Sequence, residues 1–184
     1  FNESSVIKIV YVGALNNIKN QIALLEALKT ARIEAELIFL GDGVNKKTLI
    51  DYSKNIPDSI KINFKGLVSR DLAIEHMLEA DVYVSLSKGE GLPIAVLEAM
   101  YAGCFMILSK IPPHIEVSPT SERSYFVDIS DKVEIIDSLN HVRNNFKEIR
   151  GAREKLKEYT INNFSVNNML GEYKKVYDSL YQDN

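Results

Sequence analysis

The chain has 184 residues, 46% of them hydrophobic and 26% charged, which fits one soluble domain and excludes collagen-like, mucin-like and largely disordered chains. Its 25 acidic and 22 basic residues give a formal charge of −3, so there is no electrostatic case for nucleic acid or an anionic membrane, and no apolar stretch approaches the roughly 20 residues of a membrane span. A single cysteine, Cys104, excludes an intrachain disulfide and a cysteine-rich metal site and is compatible with a reducing compartment.

Residues 1–5 do not read as a signal peptide, and the missing initiator Met reads as a piece excised from a longer protein. Residues 6–12 predict a first strand closed by Gly13, and 19–32 a helix with Ile22, Leu25 and Leu28 on one stripe. A second strand at 36–40 ends in Gly41-Asp42-Gly43, with Asp42 placed to cap a polar helix over 45–55 that stops before Pro57. A third strand at 60–64 leads through Gly66 to a helix over 70–78 capped by Ser69. A fourth strand at 81–86 is followed by a loop with Gly89 and Gly91 and by a helix over 94–102 opened by Pro93. A fifth strand at 104–108, a turn or Pro-started helix at Pro112-Pro113 and a short sixth strand at 125–127 complete the alternation. The remainder is helical: a capping box at Asp131 and Glu134, a helix over 146–159, a break at Asn162-Asn163, and a final helix. The stripe of that last helix is Val166, Met169, Leu170, Tyr173, Val176, Tyr177 and Leu180.

Short, continuously apolar strands alternating with helices predict an α/β fold, a doubly wound parallel sheet in a single domain over 1–184. Such sheets bind ligands beyond the carboxyl ends of their strands. The turn from Gly13 to Asn20 combines a permissive glycine with Lys19 at a predicted helix start, where a lysine opposes the helix dipole unless it meets a counter-charge such as phosphate. Gly41-Asp42-Gly43 and Lys65-Gly66-Leu67-Val68-Ser69 offer backbone groups at the next two strand ends, each equally readable as a plain turn. The fourth turn is the most distinctive. Glu90 lies between Gly89 and Gly91, and Glu98 falls about one turn inside a helix among Val96, Leu97 and Met100, where a carboxylate needs partners. Sugar or ribose hydroxyls suit it, since a carboxylate accepts two at once; a solvated loop glutamate and a partly exposed helix glutamate are the plainer alternative. No dinucleotide fingerprint, P-loop, nucleophile elbow or metal-ligand spacing is present, and His76, His114 and His141 read as structural or surface residues.

These residues resemble the C-terminal, donor-binding domain of the retaining GT-B glycosyltransferases of family 4, the group 1 glycosyltransferases of bacterial surface-polysaccharide type. The resemblance covers nearly the whole chain. Its most specific element is Glu-Gly-Leu-Pro-Ile-Ala-Val-Leu-Glu, with seven residues between Glu90 and Glu98. The resemblance implies a Rossmann-like donor domain in which Glu98 accepts the ribose hydroxyls of a nucleotide-diphosphate sugar. Glu90 lies by the donor sugar, with Gly91 and Leu92 N–H groups beside it. Lys19 neutralises the diphosphate, Gly13 admits it, Asn20 and Gly43 border it, and Leu67 and Val68 meet the base. It further implies a UDP- or GDP-sugar as donor substrate, no tightly bound cofactor and no metal. The partners are an N-terminal acceptor domain and a glycan or lipid-linked acceptor, the helix at 165–182 packs toward that domain, and the location is cytoplasmic, at the inner face of the membrane. Transfer is expected of the full-length enzyme and not of this domain alone. Ala14 departs from the arginine usual after the family's glycine and removes a bidentate phosphate donor. A free-standing nucleotide-binding module and a non-catalytic structural domain remain as alternatives.

Overall fold

In the computed structural model, which describes residues 6–118 and 123–182, the apolar runs become strands Ile7–Val12 (β1), Ala35–Leu40 (β2), Ile60–Gly66 (β3), Val82–Ser85 (β4), Phe105–Ser109 (β5) and Ser124–Val127 (β6). They pair in the order β3-β2-β1-β4-β5-β6, every pairing parallel. Parallel neighbours require long crossovers. Helices Gln21–Leu28 (α1), Lys46–Ser53 (α2), Arg70–Glu79 (α3), Ile94–Tyr101 (α4) and Pro112–Val117 (α5) provide them, and Lys132–Asn144 (α6), Phe146–Gly151 (α7), Arg153–Phe164 (α8) and Val166–Gln182 (α9) follow.

Both faces of the sheet are covered because successive strand side chains point to opposite sides. Ile7, Ile9 and Tyr11 pack with Leu24, Leu28, Leu49, Leu139 and Val142 on one face. Val10, Tyr83 and Met106 pack with Ala73, Met77, Val96, Met100 and Leu156 on the other. This is the doubly wound sheet that the alternation predicts. At its amino edge, Arg153 donates to the carbonyls of Leu78, Ala80 and Ala102, and Arg150 pairs with the buried Asp81 at 2.8 Å, locking α7 and α8 to the strand starts.

Several predicted boundaries are corrected. The first helix begins at Gln21 rather than 19, because Asn20 sits in the left-handed region at φ 54°, which asparagine tolerates. Asp42 caps no helix: it accepts from its neighbour Gly43 N and pairs with Lys46, and α2 starts after Asn45. The box at Asp131 is half formed, since Asp131 accepts from Val133 N while Glu134 reaches Asp128 N instead of Asp131's own amide. The helix over 146–159 is two helices, parted at Ala152 (φ −105°, ψ 4°). The final break falls at Ser165, not Asn162-Asn163: Asn163 remains helical, while Ser165 is extended (ψ 154°) and its Oγ caps the next helix through Asn168 N at 3.2 Å. Residues 1–5, and the side chains of Val176 and Leu180 from the final stripe, lie outside the described residues. Among the described residues no helix is long and apolar enough to cross a membrane.

Candidate functional site

The strand order reverses direction between β1 and β4, so their following loops face each other across a crevice at the carboxyl edge. Within the first loop Asn16 Oδ1 accepts from the amides of Ile18 and Lys19 at 3.0 and 2.9 Å. The two loops are joined where Lys88 N donates to Ile18 O at 2.8 Å and where the Tyr11 hydroxyl accepts from Leu86 N while donating to Lys19 O. The result is a short ion pair. Lys19 Nζ lies 2.6 and 2.7 Å from the two oxygens of Glu90, with side-chain exposures of 27% and 13%. The counter-charge that the position of Lys19 demands is therefore present within the chain. Burial acts to raise the Glu90 pKa, but the hydrogen bonds from Lys19 and Ser87 and the charges of Lys19 and His114 outweigh it and hold the carboxyl below its ordinary value. Gly13 (φ 148°) borders the pair, and a Cβ built there would lie 3.6 Å from the Lys19 side chain.

Glu98 also has a cation on it. Arg70, at the start of α3, places Nε 2.6 Å from Glu98 Oε1, and this hydrogen bond raises the Arg70 pKa above its ordinary value. The glutamate is largely buried while the arginine is exposed. Beside them, a cleft of about 310 Å³ is lined by Arg70, Leu97, Glu98, Tyr101, Ile161 and Phe164.

The remaining predicted residues divide. Gly91 and Leu92 stand open: a Cβ on Gly91 would meet nothing within 4 Å, Leu92 is 68% exposed, and neither amide has a hydrogen-bond partner among the described residues. Leu67 is 83% exposed, with Val68 half-buried beside it at the end of β3. Gly43 has a packing role, since a Cβ there would lie 2.5 Å from Leu15 O, just as one on Gly41 would lie 2.0 Å from Gly13 O. Close passage of two backbones accounts for both glycines. Asn20 is buried and serves the turn before α1.

Sequence reasoning missed the floor of the crevice. Tyr11, Ser85, Ser87, Ser109 and His114 form a buried polar cluster directly beneath the Glu90 loop. Its one advance signal is a histidine in the first turn after Pro112-Pro113. Cys104 is buried in the core, and burial pushes its thiol up to about 12, which leaves it unreactive at neutral pH. Among the described residues no three His, Cys, Asp or Glu side chains gather as a metal site.

Comparison with known proteins places the chain in a family and matches its fold. The family model described as "Glycosyl transferases group 1" matches residues 2–163. The chain is 20% identical over 177 residues to N-acetyl-alpha-D-glucosaminyl L-malate synthase of Bacillus anthracis, covering 95% of this chain and 46% of that protein. It is 26% identical over 179 residues to the capsular polysaccharide biosynthesis glycosyltransferase CapH of Staphylococcus aureus, covering 92% and 47%. The chain thus spans about half the length of these curated relatives. Its fold superposes on Anabaena Alr3699/HepE in complex with UDP with a TM-score of 0.80 at 16% identity, over 95% of this chain and 49% of that one. The doubly wound sheet matches GT-B-type glycosyltransferase folds.

Proposed function

The chain belongs to the group 1 glycosyl transferases, and on that premise we propose that it is the C-terminal, donor-binding half of a retaining family 4 enzyme. That enzyme transfers sugar from a UDP- or GDP-sugar to a glycan or lipid-linked acceptor in bacterial surface-polysaccharide synthesis. One observation carries the reading: Lys19 and Glu90, 71 residues apart in sequence, meet at 2.6 Å at the reversal of the strand order. A nucleoside diphosphate entering the crevice competes with Glu90 for the Lys19 ammonium. Lys19 then offsets charge on the departing diphosphate, and Glu90 is released toward the donor sugar. Glu98 accepts the ribose hydroxyls, with Arg70 holding one of its oxygens. The open amides of Gly91 and Leu92 lie at the start of α4, where N–H groups favour anions. Gly13 leaves room for the phosphates, and the exposed Leu67-Val68 turn receives the base. A structural relative, Anabaena Alr3699/HepE, is known in complex with UDP, which supports a nucleotide as the ligand of this fold.

The acceptor site belongs to the other half of the enzyme, and the exposed stripe of α9 packs toward it. This domain alone therefore binds donor and transfers nothing. The test is calorimetric titration of the chain and its Lys19→Met variant with UDP, GDP and ADP. One of the uridine or guanosine nucleotides should bind the wild type best and the variant more weakly. Failure of all three to bind would favour a structural module, a role for which Ala14 is the distinguishing residue.

A further inference from the structure

Gln21, the first residue of α1, is 1% exposed, yet only half of its side-chain amide is used. Its Nε2 donates to Ala14 O at 2.9 Å, and its Oε1 has no hydrogen-bond partner among the described residues. A buried amide oxygen without a donor costs stability, and an apolar side chain of the same length carries no such cost. What the glutamine gains is its hold on the Ala14 carbonyl, so its meaning lies in the turn after β1.

Beyond Val12 the backbone keeps the parallel pattern of β1 with β2. Gly13 N donates to Leu40 O and Leu15 N to Asp42 O, each at 2.9 Å, and Leu15 O accepts from Asn45 N at 2.9 Å. Gly13 O faces Gly41, where a Cβ would stand 2.0 Å from it. Gly13 and Leu15 thus turn both backbone groups toward the chain after β2. Ala14, between them, turns its N–H and C=O the other way, toward β4. The pairing of β1 with β4 covers Ile9–Val82 and Val10–Tyr83, and beyond it that side opens into the crevice. There Gln21 holds the carbonyl, while the Ala14 N–H has no partner among the described residues and Ala14 is exposed. The Lys19 stem lies beside the same peptide, 3.6 Å from a Cβ built on Gly13.

We propose that Gln21 is a positioning residue for an anion site in which the Ala14 N–H is the backbone donor and Lys19 the cation. An open peptide edge shows an anion a donor and an acceptor together, and the acceptor repels it. By holding the Ala14 carbonyl, the Gln21 amide offsets that repulsion and fixes the turn with its free N–H outward. Position 14 carries no cationic side chain, so the backbone supplies the second contact beside the Lys19 charge. The ligand is a diphosphate, whose oxygens can take the ammonium and the amide at once.

The inference rests on reading this edge as the nucleotide-diphosphate site, and inorganic pyrophosphate separates the two. The ¹⁵N-labelled 184-residue chain is titrated with pyrophosphate, UDP and GDP, and affinities and amide shifts are read by NMR for the wild type, Gln21→Met and Lys19→Met. In the wild type the Ala14 amide proton should move downfield on saturation with pyrophosphate and with the preferred nucleotide. Gln21→Met should weaken both ligands about three- to tenfold and shrink the Ala14 shift. Its melting temperature should stay within about 3 °C of the wild type or rise. A residue that merely supports the fold would do the opposite, lowering the melting temperature with pyrophosphate affinity unchanged. That result would overturn the proposal, as would an Ala14 amide that stays still while Gly13 and Lys19 respond. The Ala14 shift is read in the wild type, so the test stands if Q21M does not fold. Nucleotide binding that K19M weakens and Q21M does not would keep the donor reading and refute this inference. Pyrophosphate binding that depends on Gln21, with neither UDP nor GDP bound more tightly than pyrophosphate, would do the reverse. A wild type that binds none of the three refutes both.

Discussion

Each glutamate of the Glu90/Glu98 pair carries a cation, which changes what a substitution there measures. Lys19→Met should weaken UDP or GDP binding by about 1–3 kcal/mol while leaving the uncharged nucleoside unaffected. It also strands a largely buried carboxylate, so chemical denaturation should show a loss of about 1–2 kcal/mol, partly recovered in the Lys19→Met/Glu90→Gln double variant. Glu98→Gln keeps an acceptor for Arg70 but replaces the other by an amide, and should cost about 1.5–3 kcal/mol of nucleotide affinity. That loss should shrink sharply with the 2′,3′-dideoxy nucleotide. A loss of the same size without the hydroxyls would mean that Glu98 holds Arg70 and α3 rather than ribose. Acid stability follows from the same groups. The folded-state pKa of His114 lies below its ordinary 6.5 and that of Glu90 below its ordinary 4.5. In both cases the unfolded chain binds the proton first, so stability is full above the ordinary value and falls as pH drops toward the folded one. Denaturation midpoints should decline in two stages, below about 6.5 and below about 4.5. His114→Gln should abolish the first stage and Glu90→Gln should reduce the second, to which Asp42 and Asp128, also held below their ordinary value, contribute; stages unchanged by either variant would contradict the assignment.

At the scale of elements, all six strands were legible because each is a short run rich in apolar residues and closed by a turn; β4 and β5 are buried throughout, while the edge strand β3 alternates, with Lys61 and Lys65 exposed. Helix ends were less legible. Asn20 and Ser165 are residue types that suit a left-handed turn and a helix cap, yet nothing nearby singles them out from Asn16, Asn17, Asn162 or Asn163, and Ala152, which parts α7 from α8, carries no such signal. The stripe of α9 was legible as apolar, while its surroundings were not. The structure leaves Val166, Met169, Leu170, Tyr173 and Tyr177 between 50% and 67% exposed, and α9 meets the rest of the fold chiefly through α8. Deleting residues 166–184 should therefore shift the melting temperature of this chain by no more than about 3 °C. Tyr173→Glu with Tyr177→Glu should leave this chain equally stable and, on the proposal that α9 packs toward an acceptor domain, destabilise a full-length enzyme that carries one. A large loss in the isolated chain would mean that the stripe is core to this domain.

For the molecule as a whole, the alternation of strand and helix was enough to predict that the turns after Val12, Leu40, Gly66 and Ser85 share one edge of the sheet. The all-parallel order bears that out. The pairings across the edge were not legible, because Lys19–Glu90 and Arg70–Glu98 join residues 71 and 28 positions apart and depend on loops whose course the fold decides. The serines beneath Glu90 each read alone as ordinary strand-end residues; only the fold brings Ser85 and Ser109 onto His114, with Ser87 against both serines. Whether this carboxyl edge receives a nucleoside diphosphate is read out by amide chemical-shift mapping. On titration with UDP and with GDP, the largest changes should fall on Gly13, Lys19, Val68, Gly91, Leu92 and Glu98, for the preferred nucleotide above all. Changes confined to the amino edge around Lys8, Glu36 and Lys61, or to Ile161 and Phe164 in the α3–α4–α8 cleft, would contradict it.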